Sequence, residues 1–282
     1  MNAVIMAAGT SSRFVPLSEQ TPKGLLEVRG EILIERQIRQ LHEAGISDIT
    51  VVVGYKAEMF GYLREKFGVR TVMNEDYAKF NNTSSLVRVL DRIEDTFICC
   101  SDHYFTENVF KDTSADSYYS ALYSEGKTGE YCLETDDAGW IKDVQIGGEG
   151  QWYMAGHVYF NWEFSSKFRS ILSSEYENEK VRKGYWEDLY ISHIGELPMK
   201  MKKYSSEVIH EFDSLDELRL FDPSYIENTR SSVLEEISRI LGRSQAEMTN
   251  FRRVDRKEGG LSFSFNCGKD LYLYDGLTIR KM

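Results

Sequence analysis

Only four cysteines occur among the 282 residues, and no two form a C-x-x-C pair or any other metal-ligand spacing. Cys99, Cys100, Cys132 and Cys267 are therefore read as reduced structural residues, the bland reading for a cytoplasmic protein. No apolar run approaches a membrane span, and Met1 leads straight into an apolar strand without a signal peptide. A cytoplasmic protein with no membrane insertion is therefore expected. There is no basic run, and the net charge is −11, so nucleic acid and anionic membranes are poor partners. Neither G-x-x-x-x-G-K-[ST] nor G-x-G-x-x-G is present, and no G-x-S-x-G elbow offers a covalent nucleophile. Internal repeats and low-complexity tracts are absent as well.

What the chain does have is concentrated in its first 25 residues. Asn2 to Met6 read as a short apolar strand, followed by the nearly side-chain-free Ala7, Ala8 and Gly9, then Thr10, Ser11, Ser12 and Arg13. A small-residue turn leaving a strand aims several backbone N–H groups at one point, which suits a polyphosphate. Pro22 and Lys23 follow ten residues later, and Arg13 and Lys23 would add positive charge where pyrophosphate departs. The set resembles the signature of sugar-phosphate-type nucleotidyltransferases, A-A-G-x-x-[ST]-R followed by P-K.

Apolar strands alternate with amphipathic helices through the first half, as in a doubly wound α/β domain. DITVVVG reads as a strand buried on both faces, and ILIERQIRQLHEAG as a helix closed by Gly45. The pieces YYSALYSE, EYCLETDD, GWIKDVQIGG and WYMAGHVYF suggest a more antiparallel region that completes the sheet. The expected architecture is a Rossmann-like, GT-A-like mixed sheet flanked by helices over residues 1–223, with a small α+β appendage at 224–282.

Transfer of a nucleotidyl group needs a triphosphate cradle, a divalent metal and a positioned acceptor. Asp102 ends the apolar strand TFICCSD, where open α/β sheets place their ligands, and a carboxylate suits Mg²⁺. Glu211 and Asp213 in HEFDSLDE would share one face of an extended strand. Asn82 and Ser85 in NNTSSL either cap a helix or face a base. Tyr131, Trp152, Tyr153, Tyr185, Trp186 and Tyr190 fall among acids, with Glu187 and Asp188 nearby. Such a set either forms a box for a quaternary ammonium or is ordinary core and rim.

At this point the chain resembles the bacterial CTP:phosphocholine cytidylyltransferases. The likeness is carried by MAAGTSSRFVPLSEQTPKGLLEV, NEDYAKFNNTSSL, SDHYFTENVF and VIHEFDSLDELRLFDP, which together span nearly all of residues 1–223. It implies CTP and phosphocholine as substrates and Mg²⁺ as the metal. The CTP phosphates would meet Ala7, Ala8, Gly9, Thr10, Arg13 and Lys23, and the cytosine end Asn82 and Ser85. Asp102 and Asp213 would hold the metal. Glu211 would either assist the metal or face the choline cation, and Tyr131, Tyr185, Trp186 and Tyr190 are the candidate box residues on the acceptor side. His103 departs from the family, which usually has Asn there. Relatives that activate 2-aminoethylphosphonate share most of these motifs, so a phosphonate or a sugar 1-phosphate is an alternative acceptor. A catalytically silent nucleotide-binding module is an alternative of another class. The tail ILGRSQAEMTNFRRVDRKEGGLSFSFNCGKDLYLY resembles the opening of a choline-kinase-type phosphotransferase, but no H-x-D loop follows, so it is not expected to act as a kinase alone. A homo-oligomer is compatible with all of these readings.

Overall fold

A computed structural model describes residues 1–111, 114–255 and 260–282. Part of the kinase-like tail motif, at 256–259, lies outside the described residues. In chain order the elements are β1 (Asn2–Ala7), β2 (Glu27–Val28), β3 (Glu31–Ile32), α1 (Leu33–Glu43), β4 (Ile49–Val53), α2 (Tyr62–Phe67), β5 (Arg70–Met73), α3 (Thr83–Val87), β6 (Thr96–Cys100) and β7 (Tyr104–Phe105). There follow β8 (Tyr118–Thr135), β9 (Ile141–Phe160), α4 (Trp162–Glu175), α5 (Glu179–Lys183), α6 (Trp186–Ser192), β10 (Lys200–Lys203) and β11 (Ile209–His210). The chain ends with α7 (Leu215–Phe221), α8 (Ser232–Leu241), β12 (Met248–Arg253), β13 (Phe263–Cys267), β14 (Asp270–Tyr274) and β15 (Ile279–Lys281). Among the described residues no helix is long and apolar enough to cross a membrane.

The chain divides into two compact units. One comprises residues 1–9 and 34–210, the other 10–33 and 211–282. In the first, a seven-stranded sheet runs β10-β8-β9-β6-β1-β4-β5. β1 pairs in parallel with both β4 and β6, which makes it the switch point where the winding reverses and where such sheets bind ligands. β9 joins β6 antiparallel, so the sheet is mixed, as the sequence suggests. All five residues of β4 are buried, in keeping with its unbroken apolar run. The α1 stripe of Ile34, Ile38 and Leu41 is fully buried, and Gly45 in the left-handed region (φ 82°) ends the helix.

The expected series of short antiparallel pieces is instead one long hairpin. β8 is 18 residues and β9 is 20, with several register shifts between them. The helix that NNTSSL opens is regular only over α3, and a 3₁₀ turn follows at Leu90–Arg92.

In the second unit α8 buries Leu234 and Ile237 between a Ser231 N-cap and Gly242. The four strands β12 to β15 form an antiparallel sheet in sequence order, filled by Phe251, Phe263 and Phe265. Residues 10–33 and 211–223 are pinned to this tail within the same unit. The buried Arg219 guanidinium donates to the carbonyls of Tyr225, Gln245 and Met248, and the Tyr225 hydroxyl donates to the Glu27 carbonyl at 2.7 Å. The Arg29 amide donates to the Asp222 carboxylate at 2.7 Å.

Candidate active site

In the sheet unit, the turn Ala7–Gly9 and the carboxylate of Asp102 leave the carboxyl ends of neighbouring strands, with Met6 opposite Cys100 in the β1–β6 register. Ala7 and Ala8 are buried, and Gly9 is exposed. The Ser101 amide donates to the Met6 carbonyl at 3.0 Å, tying the two strand ends together. On the other side the Tyr55 amide donates to the Ala8 carbonyl at 3.1 Å. Gly54 permits that approach, since a Cβ there would lie 2.8 Å from the Ala8 oxygen and 2.7 Å from Tyr77 Cβ.

Asp102 is half-buried, two residues past the end of β6, and His103 beside it is buried. The turn carrying them is held by Gln37, fully buried on α1, whose amide nitrogen lies 2.9 Å from the carbonyls of both Cys100 and His103. Sequence reasoning missed Gln37. The signal available was a glutamine within the apolar stripe of an amphipathic helix.

Asn82 and Ser85 separate. Ser85 is buried, its hydroxyl accepting from Asn74 Nδ2 at 3.1 Å. The Asn82 side chain does not cap α3. Its Nδ2 donates to Glu187 at 3.1 Å, and its Oδ1 accepts from the Trp186 amide at 2.8 Å. Asn82 thus sits with the acceptor-side candidates.

Those candidates also divide. Trp186 and Tyr190 belong to the hydrophobic core, at 1% and 0% exposure, and Trp186 stacks on Tyr119 at 5.7 Å. A ring with no accessible face cannot meet a cation, so these two are corrected from box residues to packing residues. The spacing was readable: 186, 189 and 190 form one buried helical stripe, which leaves Tyr185 and Asp188 outside. Tyr131 and Tyr185 do come together, edge to face, with ring centres 6.5 Å apart. Asp188 lies between them, its Oδ1 accepting from the Tyr131 hydroxyl at 2.7 Å and its Oδ2 from the Tyr185 amide at 2.9 Å.

Glu187 is buried beneath this group and accepts from Asn82 and, at 3.0 Å, from the Tyr119 hydroxyl. Burial pushes its carboxyl up to about 7, against the lowering effect of those hydrogen bonds. Burial and the neighbouring Asp188 also raise the Tyr131 phenol.

The second unit holds a separate ionic cluster. Arg13 Nη1 donates to Asp213 Oδ2 at 2.6 Å, and Lys23 Nζ lies 3.5 Å from Glu211 and 3.6 Å from Asp213. The Lys23 side chain is only 8% exposed, so the two carboxylates are what make its burial tolerable. Glu211 and Asp213 share a side, but not through strand alternation: β11 ends at His210 and the pair lies in the loop beyond. Nor does Asp213 cap α7, since Ser214 does. Burial holds the Asp213 carboxyl above its usual range, and Glu211 adds repulsion that Lys23 and Arg13 oppose. Thr10 is exposed in the same unit. Asp102 and Asp213 each supply hard carboxylate oxygen, the donor type Mg²⁺ takes.

A family model described as a MobA-like NTP transferase domain matches residues 3–129. A choline-phosphate cytidylyltransferase from Streptococcus pneumoniae is 33% identical over 78% of this chain and 96% of its own length. A 2-aminoethylphosphonate cytidylyltransferase from Lancefieldella rimae is 36% identical over 82% of this chain and 95% of its own length. The solved structure of a CTP:phosphocholine cytidylyltransferase from S. pneumoniae superposes with a TM-score of 0.76, covering 79% of this chain and 98% of that one. The chain belongs to the nucleotidyltransferase family that contains these bacterial cytidylyltransferases.

Proposed function

We propose that this enzyme transfers the cytidylyl group of CTP to phosphocholine, releasing pyrophosphate and CDP-choline. Residues 1–223 are the transferase and 224–282 an appendage, working in the cytoplasm. Ala7, Ala8, Gly9 and Thr10 present backbone to the triphosphate. Arg13 and Lys23 neutralise charge that builds on the departing pyrophosphate. Asp102 in the sheet unit and Asp213 in the ionic cluster are each candidates to hold Mg²⁺, which would neutralise charge on the triphosphate. Ser85 steadies the segment at the cytosine end, Asn82 braces Glu187 on the acceptor side, and Glu211 supports Lys23.

The observation that carries the choline reading is the state of the four oxygens of Glu187 and Asp188. Each already accepts a hydrogen bond, from Asn82, Tyr119, Tyr131 or the Tyr185 amide. What they offer a ligand is diffuse negative charge beside two tyrosine rings. A quaternary ammonium has no N–H to donate and is held by that combination of ring surface and negative charge. The aromatic surface disfavours a hydroxyl-rich sugar phosphate.

The test is pyrophosphate release from CTP and Mg²⁺ with phosphocholine, 2-aminoethylphosphonate or glucose 1-phosphate as acceptor. Release with phosphocholine far exceeding the other two is expected. Preference for the phosphonate overturns the acceptor assignment, and CTP binding without release from any acceptor overturns catalysis.

A further inference from the structure

The turn after β6 brings together three side chains that the transfer reaction does not need as a set. Cys100, Asp102 and His103 each place a potential ligand atom within 4.8 Å of the others. They are half-buried, half-buried and buried respectively, so the cluster is more than a solvated acidic patch. The sequence reading treated Cys100 as an inert strand residue. The turn folds its sulfur back toward a carboxylate and an imidazole.

Two features keep this arrangement in place. Gln37 holds the carbonyls at both ends of the turn. Gly156 on β9, at φ 65°, leaves the space the imidazole occupies: a Cβ there would lie 2.9 Å from His103 Cε1, 3.2 Å from Nε2 and 3.5 Å from Cys100 Sγ. The ring nitrogen and the sulfur therefore border the same point.

The donor chemistry is selective. Mg²⁺ takes oxygen ligands in near-octahedral geometry and has little use for sulfur or imidazole. A thiolate, an imidazole and a carboxylate suit borderline cations such as Zn²⁺ or Co²⁺, with one coordination position left open. Bond lengths of about 2.0–2.3 Å put three such donors roughly 3.3–3.8 Å apart, so side-chain rotations on the order of 1 Å close the set.

We propose that Cys100, Asp102 and His103 form a binding site for a Zn²⁺- or Co²⁺-class cation. The site shares Asp102 with the Mg²⁺ position and so makes the two kinds of metal mutually exclusive at that carboxylate. The site does not depend on which acceptor the enzyme uses.

The test is a Co²⁺ titration of the chelator-treated full-length protein under reducing, anaerobic conditions. A thiolate-to-cobalt charge-transfer band that saturates at one ion per chain is expected. It should be abolished by Zn²⁺ and survive a large excess of Mg²⁺. Cys100→Ser removes the band, and Cys132→Ser keeps it. His103→Asn keeps the band but weakens Co²⁺ binding roughly tenfold or more, which provides a second test should Cys100→Ser fail to fold. Absence of a saturable band in the wild type, or its persistence in a folded Cys100→Ser, overturns the site.

Discussion

Two pairs of carboxylates sit in the two units, and the chain treats them in opposite ways. Glu211 and Asp213 are met by cations of the protein itself, Lys23 and Arg13. Glu187 and Asp188 are met by neutral donors, and among the described residues no lysine or arginine forms an ion pair with them. A carboxylate paired with a mobile cation can hand that cation to a phosphate, since one anion replaces another. In the pair served only by neutral groups, burial makes Glu187 hold its proton, and the more exposed Asp188 carries the negative charge that a cationic ligand would meet. The first arrangement suits an anionic ligand and the second a cationic one.

The largest expected effect comes from breaking the charged cluster. Lys23→Met should lower the rate of pyrophosphate release by about 10²–10³-fold, because a donor aimed at developing charge is lost. Steady-state kinetics with saturating CTP would check it, and near-normal turnover would remove Lys23 from the reaction.

Next is the cost of the uncompensated pair. The folded-state pKa of Glu187, about 7, lies above the ordinary carboxylate value, so the native state binds the proton more tightly. Stability should therefore fall as pH rises from about 4.5 to about 7, by on the order of 2–3 kcal/mol from this group. Glu187→Gln, which carries no charge to desolvate, should flatten that slope in urea unfolding series at pH 5 and 8. Identical slopes in the two proteins would show that Glu187 titrates as an ordinary surface acid.

A smaller effect should follow from removing charge while keeping shape. Asp188→Asn keeps an acceptor for the Tyr185 amide and turns its NH2 to the Tyr131 hydroxyl, which can accept, yet should raise the KM for phosphocholine about fivefold, as a partly exposed charge–cation contact is worth roughly 1 kcal/mol. The KM for CTP should stay constant, and an equal rise in both would place Asp188 in general folding rather than acceptor binding. Tyr185→Leu is expected to be mildest. The ring is 46% exposed, so its loss should cost about two- to fivefold in phosphocholine affinity, measured by competition.

The phosphate-side candidates were legible because their signals are short in sequence: Ala7 to Arg13, Pro22-Lys23, and Glu211-x-Asp213. The alternation of strands and helices also gave the sheet's class. The acceptor-side candidates were harder, because they come from β8, the residue before α3 and the start of α6, and composition does not say which face of a ring is covered. Trp186 was misread for that reason, although its helical spacing with Leu189 and Tyr190 carried the answer. The long hairpin was read as fragments because its register shifts interrupt the period-2 pattern that marks a strand. The cluster of Cys100, Asp102 and His103 was adjacent in sequence throughout, but only the turn pinned by Gln37 and the room beside Gly156 bring the three ligands to one point.

Tyr131 lies on the β8–β9 hairpin between two register shifts, one from Thr128 to Tyr131 and another at Cys132. Each added or removed residue in such a ribbon turns the side chains beyond it to the opposite face. The direction of the Tyr131 ring, and with it the surface formed beside Tyr185 and Asp188, is thus set by how many residues precede it as well as by which residue it is. A lineage could therefore exchange one acceptor for another through single-codon insertions or deletions in this ribbon, leaving every residue of the nucleotide loop untouched.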